Sequence, residues 1–196
     1  MSVSLQKGQK ISLTKESSGL TNIMVGLGWD AAPQGKGLFG KKKVPDIDCD
    51  AFALLLQGGK LYDKKDIVFF NNLTHYTGTV QHLGDNLTGD GDGDDEQILI
   101  DLASIPAQYD QIILAVNIYS AVTRKQHFGM IQNAFIRIVD QKNNQELCCY
   151  NLTEDYSGDT AMIFGEIYRH NGEWKFNAIG QGTRDTSITE VAKRYT

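Results

Sequence analysis

Met162-Ile-Phe-Gly-Glu-Ile-Tyr-Arg-His-Asn-Gly-Glu-Trp-Lys-Phe-Asn-Ala-Ile179 sets two apolar, β-prone runs on either side of Asn171-Gly172. A two-residue hairpin loop of type I′ needs positive φ at both central positions, and Asn and Gly tolerate it. The stretch therefore predicts two antiparallel strands, Met162 to His170 and Glu173 to Ile179. Upstream, Asn133 to Asp140 turns through Lys142-Asn-Asn-Gln145 into Glu146 to Leu152, a second strand–turn–strand unit. Gln111 to Tyr119 is a buried run rich in β-branched residues, and Ile98 to Leu102, Ile67 to Phe70 and Ala51 to Gln57 are shorter ones. Asn22 to Gly28 is apolar enough for a core. Val3 to Lys7 and Ile11 to Lys15 alternate with the period of a half-buried strand. Two pieces read as helical, one near Ser104 to Tyr109 and the tail from Ser187 to Tyr195. About ten short strands with frequent turn signals predict an all-β fold, a two-sheet antiparallel β-sandwich with long loops and short helical pieces. It spans residues 1–196 as a single domain without internal repeats.

The loops carry the chemistry. Gly84-Asp-Asn-Leu-Thr-Gly-Asp-Gly-Asp-Gly-Asp-Asp-Glu96 packs five Asp, one Glu and four Gly into thirteen residues, with no Lys or Arg. The chain has 24 acids against 19 bases, and setting these six aside leaves 18 against 19, so the acidic excess is one local feature. Two carboxylates about 4 Å apart repel by roughly 1 kcal/mol in water and by more near a protein surface. Gly at alternate positions lets the backbone curl and brings the charges closer. Oxygen donors without His or Cys suit a hard cation, and calcium, which takes about six to eight oxygens, fits better than magnesium. The plainer alternative is a solvated acidic loop. Asn86 and Thr88 add neutral oxygens beside the acids.

Asp30 to Pro45 is the longest irregular segment and holds the basic run Lys41-Lys42-Lys43. Loops of this length in a compact domain are often functional. It leads into Asp46-Ile-Asp-Cys-Asp50, whose three carboxylates would share one face of a strand. That face is either a second oxygen cluster, to which Asp30 could contribute, or simply wet.

Other features exclude functions. Cys49, Cys148 and Cys149 form no C-x-x-C, so neither a disulfide framework nor a zinc site is expected, and reduced structural thiols are. The first residues lack an apolar h-region and no apolar run is long enough to span a bilayer, so a cytoplasmic protein without a transmembrane segment is expected. The Asn72, Asn86 and Asn151 sequons would then meet no glycosylation machinery. Gly35 to Lys42 has phosphate-loop spacing but lacks the Ser or Thr that holds magnesium. Asp90, Asp92 and Asp94 mimic an EF-hand start, yet Asp95 stands where that loop needs Gly. The four His show no ligand spacing, and no nucleophile signature is present.

Val25-Gly-Leu-Gly-Trp-Asp30, Asp46-Ile-Asp48, Gly84-Asp-Asn-Leu-Thr-Gly89, Gly93-Asp-Asp-Glu96, Asn133-Ala-Phe-Ile-Arg137 and Ala161 to Phe176 occur in this order. Together they resemble the tellurium-resistance TerD family of bacterial stress proteins over nearly the whole chain. The resemblance implies a calcium-binding β-sandwich with Asp30, Asp46, Asp48, Asp85, Asn86, Asp94, Asp95 and Glu96 building the ion sites. Asp90 and Asp92 stand where the family tends to be acidic or polar. The chain departs from the family pattern in Lys41 to Lys43 and in Cys49-Asp50. A stress-resistance role follows, though tellurite reduction would need reactive thiols or a redox cofactor, against which three scattered Cys argue. The expectation is a calcium-dependent interaction module, not an enzyme, with a metal-dependent hydrolase of phosphate-containing substrates as the alternative. Expected partners are proteins of a stress-response complex, including a membrane-associated one, and direct nucleic-acid binding is not expected.

Overall fold

The computed structural model describes residues 2–31, 47–84 and 93–196. Its strands are β1 (Val3–Leu5), β2 (Lys10–Ser12), β3 (Asn22–Ala31), β4 (Cys49–Leu56), β5 (Ile67–Val68) and β6 (Val80–His82). They continue with β7 (Glu96–Asp101), β8 (Gln111–Ile118), β9 (Ile131–Asp140), β10 (Gln145–Asn151), β11 (Ala161–His170) and β12 (Glu173–Thr183). Three short helices, α1 (Leu13–Glu16), α2 (Ala121–Arg124) and α3 (Ile188–Ala192), interrupt or end the strands. One sheet has the order β1-β10-β9-β3-β7-β6 and the other β2-β12-β11-β8-β4-β5. All these pairings are antiparallel except β1 with β10, which is parallel.

Alternation explains the layers. Ile23, Val25 and Leu27 of β3, with Ile98 and Ile100 of β7, face Ala51, Ala53 and Leu55 of β4 and Ile112, Leu114 and Val116 of β8 across one core. The intervening Phe52, Leu54, Leu56 and Ile113 form a second cluster on the outer face of their sheet, covered by Val191 and Ala192 of α3. Strand β4 is therefore buried on both faces, which is why it reads as a continuous apolar run. The helical tail covers that face. The hairpin between β11 and β12 has Asn171 and Gly172 at φ 53° and 78°, with His170 opposite Glu173, as a type I′ turn requires.

Some expectations are corrected. The Ile11 to Lys15 run leaves the sheet at Ser12, whose hydroxyl accepts from the Lys15 N–H and caps α1. Ser104 to Tyr109 is not helical. Asp101 takes the Ser104 N–H and Pro106 supplies no donor, so the segment forms separate turns. Strand β6 has only three residues, too few to show a period. No helix among the described residues is long and apolar enough to cross a membrane.

At one end of the sandwich β3 finishes while β4 and β7 begin, and Glu96 of one sheet reaches Ala51 of the other. The long connections at residues 32–46 and 85–92 leave from this end.

Alkaline stability tests the core. Burial first, then the field of Cys149, pushes the Cys148 thiol from 9.0 up to about 12, and burial raises the Tyr195 hydroxyl from 10.0 to about 12. Both bind their proton more tightly folded than unfolded. The stability they confer is complete below their unfolded values and is lost as pH rises through roughly 9 to 12. Urea unfolding should weaken over that range. Cys148→Ala should flatten the fall by about 2 kcal/mol near pH 10.5, and an unchanged pH slope would remove the thiol from the account.

Candidate functional site

The acidic stretch is the connection of the β6–β7 hairpin, closed at its base by the Leu83 N–H on the Gln97 carbonyl at 3.0 Å. Glu96, 2% exposed, points inward from the first position of β7. Its Oε2 accepts the Ala51 N–H of β4 at 2.6 Å, from the opposite sheet. The imidazole of His82 sits beside it. Gly84 N–H donates to His82 Nδ1 at 3.0 Å, so the proton lies on Nε2, which faces the Ala51 carbonyl at 3.1 Å and Glu96 Oε2 at 3.3 Å. Strand β5 pairs with β4 only at Ala53 and Leu54. At Ala51, side chains from the facing sheet do the work of a strand. Within its own sheet, Asp95 extends the pairing of β3 beyond β7: its N–H donates to the Leu27 carbonyl at 2.8 Å and its Oδ2 accepts the Trp29 N–H at 2.7 Å.

Asp94 turns the other way. Arg137 of β9 grips both its oxygens, Nε to Oδ1 at 2.7 Å and Nη2 to Oδ2 at 2.9 Å, and Gln97 donates to Oδ2 at 2.9 Å. This pair lies over the glycines of Val25-Gly-Leu-Gly-Trp-Asp30. A Cβ at Gly26 would run into the Asp94 carboxylate, and one at Gly28 into the Phe135 ring and the Gly93 carbonyl. Hydrogen bonding to Asp94 outweighs partial burial and raises the Arg137 pKa.

The β4 side supplies Asp48 and Asp50. Asp48 lies just before the strand, its carboxylate 3.6 Å from Arg124 of α2 and its carbonyl accepting the Tyr119 N–H. Asp50 is 6% exposed and Cys49, between them, 1%. Burial, then the fields of Glu96, Asp50, Asp48 and Asp95 in that order, push the Cys49 thiol well above its ordinary value. Cys49 and Ala51 face the core on the side of Glu96, whereas alternation along β4 puts Asp50 on the outer face with Phe52 and Leu54. Asp30, exposed at the end of β3, accepts from Asn133 Nδ2 at 2.8 Å. Asn133 has φ 53°, where β9 bulges against β3.

A model of the TerD domain matches residues 1–195. The chain belongs to the TerD family. It is 54% identical over 198 residues to stress response protein SCP2 of Bacillus subtilis (strain 168), covering all of both chains. It is 50% identical over 182 residues to tellurium resistance protein TerD of Serratia marcescens, covering 93% of this chain and 91% of that one. The crystal structure of a homologue of telluride resistance protein (TerD) from Streptomyces coelicolor A3(2) shares the fold, with a TM-score of 0.67 at 20% identity over 91% of this chain and 99% of that one.

Of the ten acidic and amide residues expected at ion sites in this TerD chain, Asp95 and Glu96 bond to Trp29 and Ala51 at the start of β7, and Asp48 lies just before β4 near Arg124. Asp30 follows Trp29 at the end of β3 and is bonded to Asn133, and Asp94 turns outward to Arg137. Asp46, Asp85, Asn86, Asp90 and Asp92, like Lys41 to Lys43, lie outside the described residues. Among the described residues no group of three or more carboxylate, thiol or imidazole side chains is placed to hold a metal ion, so an ion site would need donors from those segments. The donors present are hard oxygens. The raised Cys49 thiol holds its proton and both His82 nitrogens are engaged, which suits an oxygen-seeking cation and not zinc. Sequence reading missed His82, Arg124 and Arg137 as parts of the site. Arg137 stands inside the quoted Asn133 to Arg137 motif, which was the one signal available.

The Arg137–Asp94 clamp makes a direct prediction. The Asp94 side chain is fully buried and that of Arg137 33% exposed. Arg137→Met should therefore cost about 2–3 kcal/mol in urea unfolding, short of the figure for a fully buried pair because solvent reaches the arginine. Adding Asp94→Asn should recover part of that loss, and a purely additive double variant would show that the clamp carries no coupling.

Proposed function

We propose that this TerD-family chain is a calcium-binding stress-response module of the cytoplasm that captures protein partners in a calcium-dependent way and has no catalytic turnover of its own. The observation that supports the reading is that Asp95 and Glu96, at the end of a connection whose sequence adds Asp85, Asn86, Asp90 and Asp92, bond to Trp29 of β3 and Ala51 of β4, next to Asp30 and close to Asp48 in the chain. These acids and Asn86, with Asp46, are the residues that would hold the ion. Asp94, with both oxygens engaged, is assigned to holding the connection in place. Calcium bound there would neutralise the mutual repulsion of the carboxylates and join the starts of β4 and β7. Partners in a stress-response complex, including a membrane-associated one, would meet the surface that this end of the sandwich presents.

An ion that binds only the folded state stabilises it by about 2.7 kcal/mol at a hundredfold excess over its Kd. For a domain of this length each kcal/mol moves the melting midpoint by about 2–4 °C. Saturating calcium should raise the midpoint by about 5–10 °C, reversibly with EDTA and well beyond the effect of magnesium. Asp48→Ala should lose most of that shift and Asp94→Asn should keep it. A full shift in Asp48→Ala would confine the site to the hairpin connection. Turnover of a phosphoester panel that vanishes in Asp95→Ala would replace the module reading with a metal-dependent hydrolase.

A further inference from the structure

At the same end of the molecule a cleft of about 320 Å³ opens between the start of β9, the turn at Phe128–Met130 and residues 152–156. Its volume is at the low end for small-ligand sites, which span about 300–1,000 Å³, and leaves room for one side chain or a small amine. Phe128, Ile131, Leu152 and Tyr156 give one side of it apolar surface that continues into the main core, while most of its exposed lining is polar. Glu154 and Asp155 supply the charge, and among the described residues no Lys or Arg lines the cleft.

The two acids differ. Glu154 is already paired with Lys7 at 2.6 Å. Among the described residues no Lys or Arg forms an ion pair with Asp155. Its Oδ1 accepts the Ser157 hydroxyl at 2.5 Å and the Ser157 N–H at 2.9 Å. Those bonds, the hydroxyl first, hold the carboxyl below its ordinary range, so it is ionised at neutral pH. An anion fixed by its own loop and set beside an apolar wall matches a long stem that ends in a positive charge. Aliphatic stems of this kind lie along apolar surface while their charged ends reach a polar partner.

We propose that this cleft binds an alkylammonium or guanidinium group, with the stem along Ile131 and Leu152 and the charge on Asp155. Calcium is not required, since none of these residues is among the expected ion donors. The group is carried either by a free amine or by a basic side chain of a partner protein.

Amide NMR titration of the full chain in EDTA separates the cases, with Nα-acetyl-lysine methylamide, 1,4-diaminobutane and the uncharged Nα-acetyl-norleucine methylamide as probes. Resonances of residues 128–134 and 152–156 should move with a charged probe and not with norleucine. Blocked lysine binding alone points to a partner's side chain, and equal binding of the diamine points to a free amine. Asp155→Asn keeps an acceptor for Ser157 while removing the charge, and should weaken binding about tenfold with the rest of the spectrum unchanged. Equal binding of norleucine, full affinity in Asp155→Asn, or no movement of these resonances overturns the proposal.

Discussion

One carboxylate ties the two sheets together where the functional end begins. Glu96 starts β7 in one sheet, yet its Oε2 takes the backbone N–H of Ala51 in the other, while His82 covers the Ala51 carbonyl. Among the described residues, β5 pairs with β4 only at Ala53 and Leu54, and an unpaired buried N–H at Ala51 would cost about 1–3 kcal/mol. Meeting that need with an acid brings a negative charge into the interior, and Asp95 repeats the device for Trp29. On the proposed reading, the carboxylates that complete the backbone bonding are also those that would hold the ion.

The other features at this end follow from that choice. Gly26 and Gly28 have no side chains because Asp94 and Gly93 lie over them. Arg137 answers the charge of Asp94, which lies buried on the outer face of the sheet. Arg124, stacked on Tyr119 with its guanidinium carbon 5.1 Å from the ring centroid, lies beside Asp48. Asp95 and Glu96 accept backbone N–H groups, and Glu96 also lies beside the His82 imidazole.

Much of the fold was legible in the sequence because its signals are local. The Asn171-Gly172 turn, the alternation in β3 and the unbroken apolar run of β4 each follow from a few consecutive residues. Where neighbours in space decide, the reading was incomplete. Leu13 to Glu16 left the strand because Ser12 caps a helical turn, and three-residue β6 depends on its partner β7. The acids of the site were visible as acids, but their division of labour was not. His82 is 14 residues from Glu96, and Arg137 is 43 from Asp94. No spacing rule joins such pairs before the sheets assemble, whereas Asp50, read only as a possible extra charge, is placed by β4 itself.

The central claim is that the ion site belongs to both sheets at once and not to the acidic connection alone. Hydrogen–deuterium exchange with and without saturating calcium reads this directly, because the Trp29 and Ala51 amides are bonded to Asp95 and Glu96. Calcium should slow exchange together at residues 27–29, 49–51 and 95–97, on β3, β4 and β7. Slowing confined to residues 84–94, with Ala51 and Trp29 unchanged, would contradict it.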